Sequence, residues 1–329
     1  RKYVDPEPSH GSWGSEETAN NPPDAPILDS PSADARFNPS ASVTFTWTFN
    51  DPDDGDSQSA YQFQLDDDSD FSSPIIDTGK VTSTSTSTTQ TLPSTVGLYY
   101  WRVKTWDSQD AEGAWSSGRT IIVDRVQITL SISDSRIDVG STMSWSFTAT
   151  YEYDSTDATS YVTVTLNDTD TKDTVGKWAF TVSSMTESQY GLTVFEANTI
   201  ECIWDSLTIN ITDPVDQRIN VGENASGIIV SATYNYDGAT YDGTLNLNST
   251  TFTYNTVGKR GYTVVSASGD DSYGITTIST NDETYCIWDR VDIIYFEVST
   301  SEVEVGQPVN VYVQARLCLL YTSDAADEL

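Results

Sequence analysis

The sequence predicts an all-β protein built of tandem β-sandwiches, and three observations carry that prediction. Ser and Thr supply 86 of the 329 residues. Thr, like Tyr, Val and Ile, favours strands, whereas Ser favours turns. Apolar residues recur at alternate positions in short runs and nowhere keep a sustained helical period. Finally, ordered markers recur 82 to 84 residues apart through the second half of the chain. A chain of this length supports about two to four small domains.

Residues 1–23 are polar and Pro-rich and read as a tail or linker, the remnant of an upstream domain. "NNPPDAP" (20–26) prolongs it, because Pro fixes an extended chain. In "SVTFTWTF" (42–49), Val43, Phe45, Trp47 and Phe49 fall on one face and Ser and Thr on the other, as in a half-buried strand. "AYQFQLD" (60–66) and "GLYYWRVKTWD" (97–107) alternate likewise, and "RTIIVD" (119–124) closes the unit. A hundred or so residues of alternating strands with turn residues between them imply a sandwich over 24–124.

That segment resembles the fibronectin type III-like domains of microbial surface proteins and secreted glycan-degrading enzymes. The matching residues are "FTWTFNDPDDGDSQSAYQFQL" and "YYWRVKTWD" followed by "GAWSS". The resemblance implies a fold and little about function, since this fold serves many. "RKYVDPEP" (1–8) with "GSEE" (14–17) resembles the end of a concanavalin A-like jelly-roll domain.

From residue 125 the chain repeats. "IDVG" (137–140), "INVG" (219–222) and "VEVG" (303–306) head a series continued by "YEYD" (151–154) and "YNYD" (234–237), and by "TVGK" at 174 and 256. "SQYG" (188–191) and "DSYG" (271–274) follow, and then "CIWD" at 202 and 286. The expected units are immunoglobulin-like repeats over 125–205 and 206–289, each of about seven strands, with a truncated third over 290–317. "CLLYTSDAADE" (318–328) resembles the translated read-through of a sequencing adapter, so 318–329 is expected to be a non-native scar.

"CIWD" reads as the seam between units. Cys and Trp two apart share a face, expected to be the core face. Asp124, Asp205 and Asp289 then fall where one unit runs into the next, placed to cap a turn or to pair across the junction. No Gly or Pro interrupts these junctions, which implies limited flexing. Cys202 and Cys286 occupy equivalent positions about a domain length apart, roughly 25 Å, too far for a disulfide. They are expected to act as small buried hydrophobes.

The formal net charge of -33, with 16 basic residues scattered, excludes a nucleic-acid surface. It favours solubility and the binding of cations. No apolar run is long enough to span a membrane, so no membrane contact is expected within these residues. The sole histidine, His10, lies in the tail, and a Ser-His-Asp or Cys-His site needs a packed histidine. No catalytic site is expected. Calcium is the candidate cofactor. "NDPDDGDSQ" (50–58) and "WDSQDAEG" (106–113) should share one pole of the first sandwich, where Asp51, Asp53, Asp54 and Asp56 would face Asp107 and Asp110. Hard oxygen donors from two loops suit Ca²⁺. Of these, Asp51, Asp53, Asp56, Asp107 and Asp110 form the candidate metal set, while the acidic run Asp66–Asp70 reads as a solvated turn. Trp106 and Trp115 flank the same pole as candidate glycan contacts. Sequons at Asn167, Asn210, Asn224 and Asn248 are as many as composition alone provides. The resulting expectation is a non-catalytic, extracellular stalk segment of a modular cell-surface protein, with surface glycans or other surface proteins as partners. The alternative is the accessory region of a secreted polysaccharide-acting enzyme.

Overall fold

A computed structural model describes residues 19–300 and 302–319. His10, the jelly-roll-like segment, and residues 320–328 of the adapter-like segment lie outside them. The described residues are all-β apart from one turn of 3-10 helix, and they form sandwich modules. No helix among them is long and apolar enough to cross a membrane.

The first segment comprises β1 (Ile27–Ser30), β2 (Ala35–Phe37), β3 (Ser42–Thr48), β4 (Ala60–Asp66), β5 (Ile76–Asp77), β6 (Val81–Thr82), β7 (Ser87–Thr91), β8 (Gly97–Trp106) and β9 (Arg119–Val123). One sheet has the order β1-β3-β7 and the other β2-β9-β8-β4-β5, with β6 also on β4. The alternation in β3 is realised, with Val43, Phe45 and Trp47 all buried. Phe45 meets Trp101 of the opposite sheet edge-on, with ring centroids 4.9 Å apart. The buried indole of Trp47 donates to Gln58 Oε1 at 2.9 Å, and Gln58 in turn donates to Ser85 O at 2.7 Å. A buried polar group is thereby satisfied instead of left at a cost of about 1–3 kcal/mol. The hydroxyl of Tyr99 donates to Thr95 O at 3.0 Å. This is the tyrosine corner of immunoglobulin-like sandwiches, which fixes the approach to the strand.

Next come β10 (Val126–Ile132), β11 (Arg136–Asp138), β12 (Trp145–Tyr151), β13 (Val162–Leu166), β14 (Gly176–Phe180), β15 (Val182–Glu187), β16 (Phe195–Ala197) and β17 (Ile200–Asp205). The following copy has β18 (Leu207–Ile211), β19 (Arg218–Asn220), β20 (Val230–Tyr234), β21 (Leu245–Leu247), β22 (Gly258–Ala267), β23 (Ile278–Asn281) and β24 (Glu283–Asp289). The structure explains the markers. Gly140, Gly222 and Gly306 have φ of 82°, 86° and 94°, so each "VG" is a turn in the left-handed region that favours glycine. In "CIWD", Cys202, Trp204, Cys286 and Trp288 are all fully buried. Trp204 Nε1 donates to Ser141 O and Trp288 Nε1 to Glu223 O, each at 2.8 Å. Both thiols are free, and burial pushes that of Cys202 up to about 11, which leaves it unreactive.

The last pair, β25 (Val291–Val298) and β26 (Val311–Leu317), is an antiparallel ribbon. It exposes apolar side chains such as Ile293 and Phe296, at 66% and 63%. Two compact units emerge from the backbone contacts. Among the described residues, one holds 19–129, 147–165 and 182–198, and the other 130–146, 166–181, 199–300 and 302–319. The division runs through the 125–205 segment. It leaves the surroundings of Asp124 whole within the first unit and those of Asp205 whole within the second.

Candidate functional site

Three places were candidates: the acidic pole, the tryptophans beside it, and the aspartates at the seams. At the pole, Asp51, Asp53 and Asp56 each bring one carboxylate oxygen within 4.8 Å of the others. Asp51 Oδ1 accepts the Asp53 N–H at 2.8 Å, and Asp53 accepts the backbone and side-chain amides of Asn21 at 2.7 and 2.9 Å. Asp56 Oδ1 accepts the Ser108 hydroxyl at 2.6 Å and the Ser57 N–H at 2.7 Å. Those two donors hold the Asp56 carboxyl below its ordinary range. Asp51 Oδ2 and Asp56 Oδ2 are buried without a hydrogen-bond partner among the described residues.

The other two members of the predicted metal set are placed differently. Asp107 is fully buried, and its oxygens accept from Gln109 N, Ala111 N and Asn20 Nδ2 at 2.8 to 2.9 Å. It builds its own loop. Asp110 sits at a φ of 70° and pairs with Lys80. Trp106 is only 5% exposed, with Lys80 Nζ 4.7 Å and Lys104 Nζ 5.1 Å from its ring centre. Trp115 is half-buried, with Arg102 at 4.4 Å and Lys104 at 4.9 Å. Cations therefore lie close to both rings. In the acidic run, Asp66 departs from the solvated-turn expectation. It is fully buried, and its Oδ1 accepts the Asp67 N–H at 2.9 Å.

The seams carry the most elaborate arrangement. At Asp124, β2 runs parallel to β9, placing Arg36 opposite Ile122. The Arg36 guanidinium pairs with both Asp124 and Asp154. It also lies 4.9 Å from the ring centre of Tyr151 and 5.0 Å from that of Tyr190. Asp124, fully buried, accepts the Arg125 N–H at 2.8 Å and the Tyr153 N–H at 3.0 Å. Thus the "YEYD" turn (151–154) closes over an Arg–Asp pair contributed by the preceding segment. Burial opposes the Arg36 charge, but its two carboxylates outweigh it and raise its pKa; burial likewise opposes the Asp154 charge, but Arg36 and Thr156 lower its pKa. Asn38 Oδ1 accepts the N–H groups of Thr193 and Val194 at 2.8 and 2.9 Å.

At Asp205 the same arrangement recurs. β11 runs parallel to β17 with Arg136 opposite Ile203. Arg136 pairs with Asp205 at 3.3 Å and also with Asp237 of "YNYD". It lies 4.9 Å from the Tyr234 ring centre and 4.5 Å from that of Tyr273. Asp205 accepts the Ser206 N–H at 2.8 Å and the Tyr236 N–H at 3.0 Å. Asp138, in the role of Asn38, accepts from Thr276 N and Thr277 N at 2.9 and 2.7 Å. Sequence reasoning placed the aspartates at the seams but missed their arginine partners. A signal was present: Arg136 and Arg218 immediately precede the "IDVG" and "INVG" markers.

Fold and joints together define a chain of immunoglobulin-like and fibronectin-like sandwich modules. Residues 38–123 match the profile of the Rha78A-like, N-terminal immunoglobulin domain. Among solved structures, the chain is similar to fibronectin(III)-like modules of Clostridium thermocellum CbhA, at 13% identity over 80% of this chain and 93% of that one, with a TM-score of 0.24. It is also similar to the α-L-rhamnosidase from Dictyoglumus thermophilum, at 12% identity, covering 83% of this chain and 46% of that one, with a TM-score of 0.28. A third similarity is to the Streptomyces avermitilis α-L-rhamnosidase complexed with L-rhamnose, at 21% identity over 33% of this chain and a TM-score of 0.27. The chain spans 12% of that enzyme. A search of curated proteins returned no match.

Proposed function

We propose that the chain is a non-catalytic spacer segment of an extracellular modular protein. In this reading, side-chain joints at Asp124 and Asp205, one within each compact unit, stiffen the passage between the expected sandwiches over 24–124, 125–205 and 206–289. The observation that carries it is the repetition of one joint. At Asp124 and again at Asp205, an arginine from an edge strand and an aspartate at the end of the last strand are covered by a Tyr-x-Tyr-Asp turn. Flexible linkers need no such arrangement, and breaking a buried pair costs about 3–5 kcal/mol. The net charge of -33 supports an ionic, cell-exterior setting in which self-repulsion is screened. Distances between spin labels placed on either side of the Asp205 joint test this. A narrow distribution that broadens in Arg136→Ala supports a stiff spacer, and a broad one in the parent chain overturns it.

The match of residues 38–123 to a domain named from Rha78A-like proteins favours a second reading, an accessory region of a secreted polysaccharide-acting enzyme. The two readings part on whether a catalytic module flanks this segment, which the full reading frame at the source locus decides.

The acidic pole adds a calcium site to either reading. Asp51, Asp53 and Asp56 would supply the carboxylates, and the two buried, unpartnered oxygens of Asp51 and Asp56 support it. Thermal unfolding of the first sandwich in calcium and in chelator at matched ionic strength tests the site. Equal midpoints would remove it.

A further inference from the structure

A third copy of the joint exists at Asp289, and its cover is missing among the described residues. Strand β19 runs parallel to β24 with Arg218 opposite Ile287, the register found at Arg136 and Ile203. Arg218 pairs with Asp289, and Asp289 Oδ1 accepts the Arg290 N–H at 2.8 Å. Up to this point the third copy repeats the first two.

The difference lies above the arginine. The Arg36 and Arg136 side chains are 8% and 6% exposed, whereas that of Arg218 is 38% exposed. No tyrosine ring is recorded over Arg218 among the described residues, and Asp289 receives no counterpart of the Tyr153 or Tyr236 N–H. Asn220 occupies the position of Asp138. Its amide donates to Glu223 Oε1 at 3.1 Å. A cavity of about 360 Å³ opens there, lined by Arg218, Asn220, Glu223, Asp289, Arg290 and Leu317, among others.

The backbone that should carry the cover is nevertheless in place. Leu207 pairs with Tyr234, the first tyrosine of "YNYD", and Val291 pairs with Leu317 in the same register. The N–H of Glu152 donates to Arg125 O at 3.0 Å, that of Asn235 to Ser206 O at 2.9 Å, and that of Cys318 to Arg290 O at 3.1 Å. Residues 317–319 thus stand where the other joints have Tyr-x-Tyr, and they read Leu-Cys-Leu. Leucines offer neither a ring face nor a carboxylate to a guanidinium.

We infer that the face formed by Arg218, Asn220 and Asp289 is an acceptor for a Tyr-x-Tyr-Asp turn carried by a further copy of the repeat. The inference takes from the spacer reading that the joints act as closures. Its test reads the chemistry of a single arginine, not stiffness, so either can fail without the other.

The test is the rate at which phenylglyoxal modifies each arginine of the folded full chain, resolved by peptide mass spectrometry. In the parent chain Arg218 should react at least about tenfold faster than Arg36 and Arg136, the order expected for losing a charge-assisted hydrogen bond. The quadruple variant L317Y/C318N/L319Y/L320D should slow Arg218 several-fold. A longer chain, with residues 206–289 repeated directly after Asp289, also supplies the loop tyrosine and should bring Arg218 to the rate of Arg136. Equal rates for the three arginines in the parent overturn the inference, as does an unchanged Arg218 rate in the longer chain with its added copy folded. Protection of Arg218 in the parent that grows with protein concentration also overturns it, since a second copy would then fill the face.

Discussion

The joints at Asp124 and Asp205 share a centre and differ at the edge. In both, a buried aspartate, an edge-strand arginine and a Tyr-x-Tyr-Asp turn converge. Beside Asp124 the flanking contact is ionic: Arg125 pairs with Glu152 and Glu196 at the protein surface. Beside Asp205 the same positions are neutral. Asn235 donates to Ser206 Oγ at 2.8 Å and accepts from Thr208 Oγ1 at 2.6 Å. The carboxylate that receives the tyrosine hydroxyl also shifts, from Glu187, which accepts Tyr151 at 2.9 Å, to Asp271, which accepts Tyr234 at 2.6 Å. A side chain shorter by one methylene is compensated by a position one residue later in the loop. What stays constant is therefore the arginine set between two aspartates, where an unpaired group is costly, and among what varies the part-exposed ion pairs of Arg125 contribute little.

The largest expected effect comes from removing the shared centre. Arg36→Ala and Arg136→Ala should each destabilise by about 3–5 kcal/mol, because each strands a fully buried aspartate. Denaturant titration checks this, and Asp205→Asn should restore part of the loss in the Arg136 variant. A loss below about 1 kcal/mol in either would show that the two centres are not equivalent. A smaller effect is expected at the loop clamps. Asp138 holds three donors on Thr276 and Thr277, whereas Asn38 holds two with a neutral oxygen. Asp138→Ala should cost about 1.5–3 kcal/mol and Asn38→Ala about 0.5–1.5 kcal/mol. Equal costs would mean the charge on Asp138 adds nothing.

Acid should separate the joints further. At the first joint, the pKa values of Glu152, Asp154 and Glu187 are lowered: that of Glu152 by Arg125, that of Asp154 by Arg36 and Thr156 against burial, and that of Glu187 by the N–H groups of Leu192, Gln189 and Tyr190 against burial. The stability they contribute is complete above their unfolded values, near pH 4, and is lost as pH falls through the folded ones. At the second joint Asp237 behaves the same way, lowered by Arg136, but burial raises Asp205. Protonating Asp205 relieves a desolvated charge, so its contribution grows as pH falls from its raised folded value toward its unfolded one. Exchange protection of the Tyr153 N–H should therefore fade on acidification before that of the Tyr236 N–H. The reverse order would break the comparison. The smallest effect belongs to the exposed edge: Glu152→Gln should cost about 0–1 kcal/mol at low salt and nothing measurable at high salt.

Much of this was legible in the chain. Alternation in "SVTFTWTF" identifies its buried face because side chains on a strand alternate between core and solvent, so burial is written locally. The repeat markers recorded turns and core tryptophans for the same reason. The acidic pole was partly legible. Asp51, Asp53 and Asp56 sit in one loop and converge, but Asp107 turned inward to accept its own loop's amides, and Asp110 turned to Lys80. Loop aspartates can serve as ligands or as turn-builders, and composition does not distinguish these roles.

By itself, then, the sequence determined the all-β class, the period of the repeat, the core face of "CIWD" and the recurring aspartate that follows or ends a closing strand. These are properties of spacing along one strand. Only the tertiary structure decided what each aspartate meets. Arg36 and Asp124 are 88 residues apart, and Arg36 and Asp154 are 118 apart. They meet because a three-residue edge strand runs parallel to the last strand of its sheet and sets the arginine under the next turn. That pairing depends on register between distant strands, which no local pattern encodes.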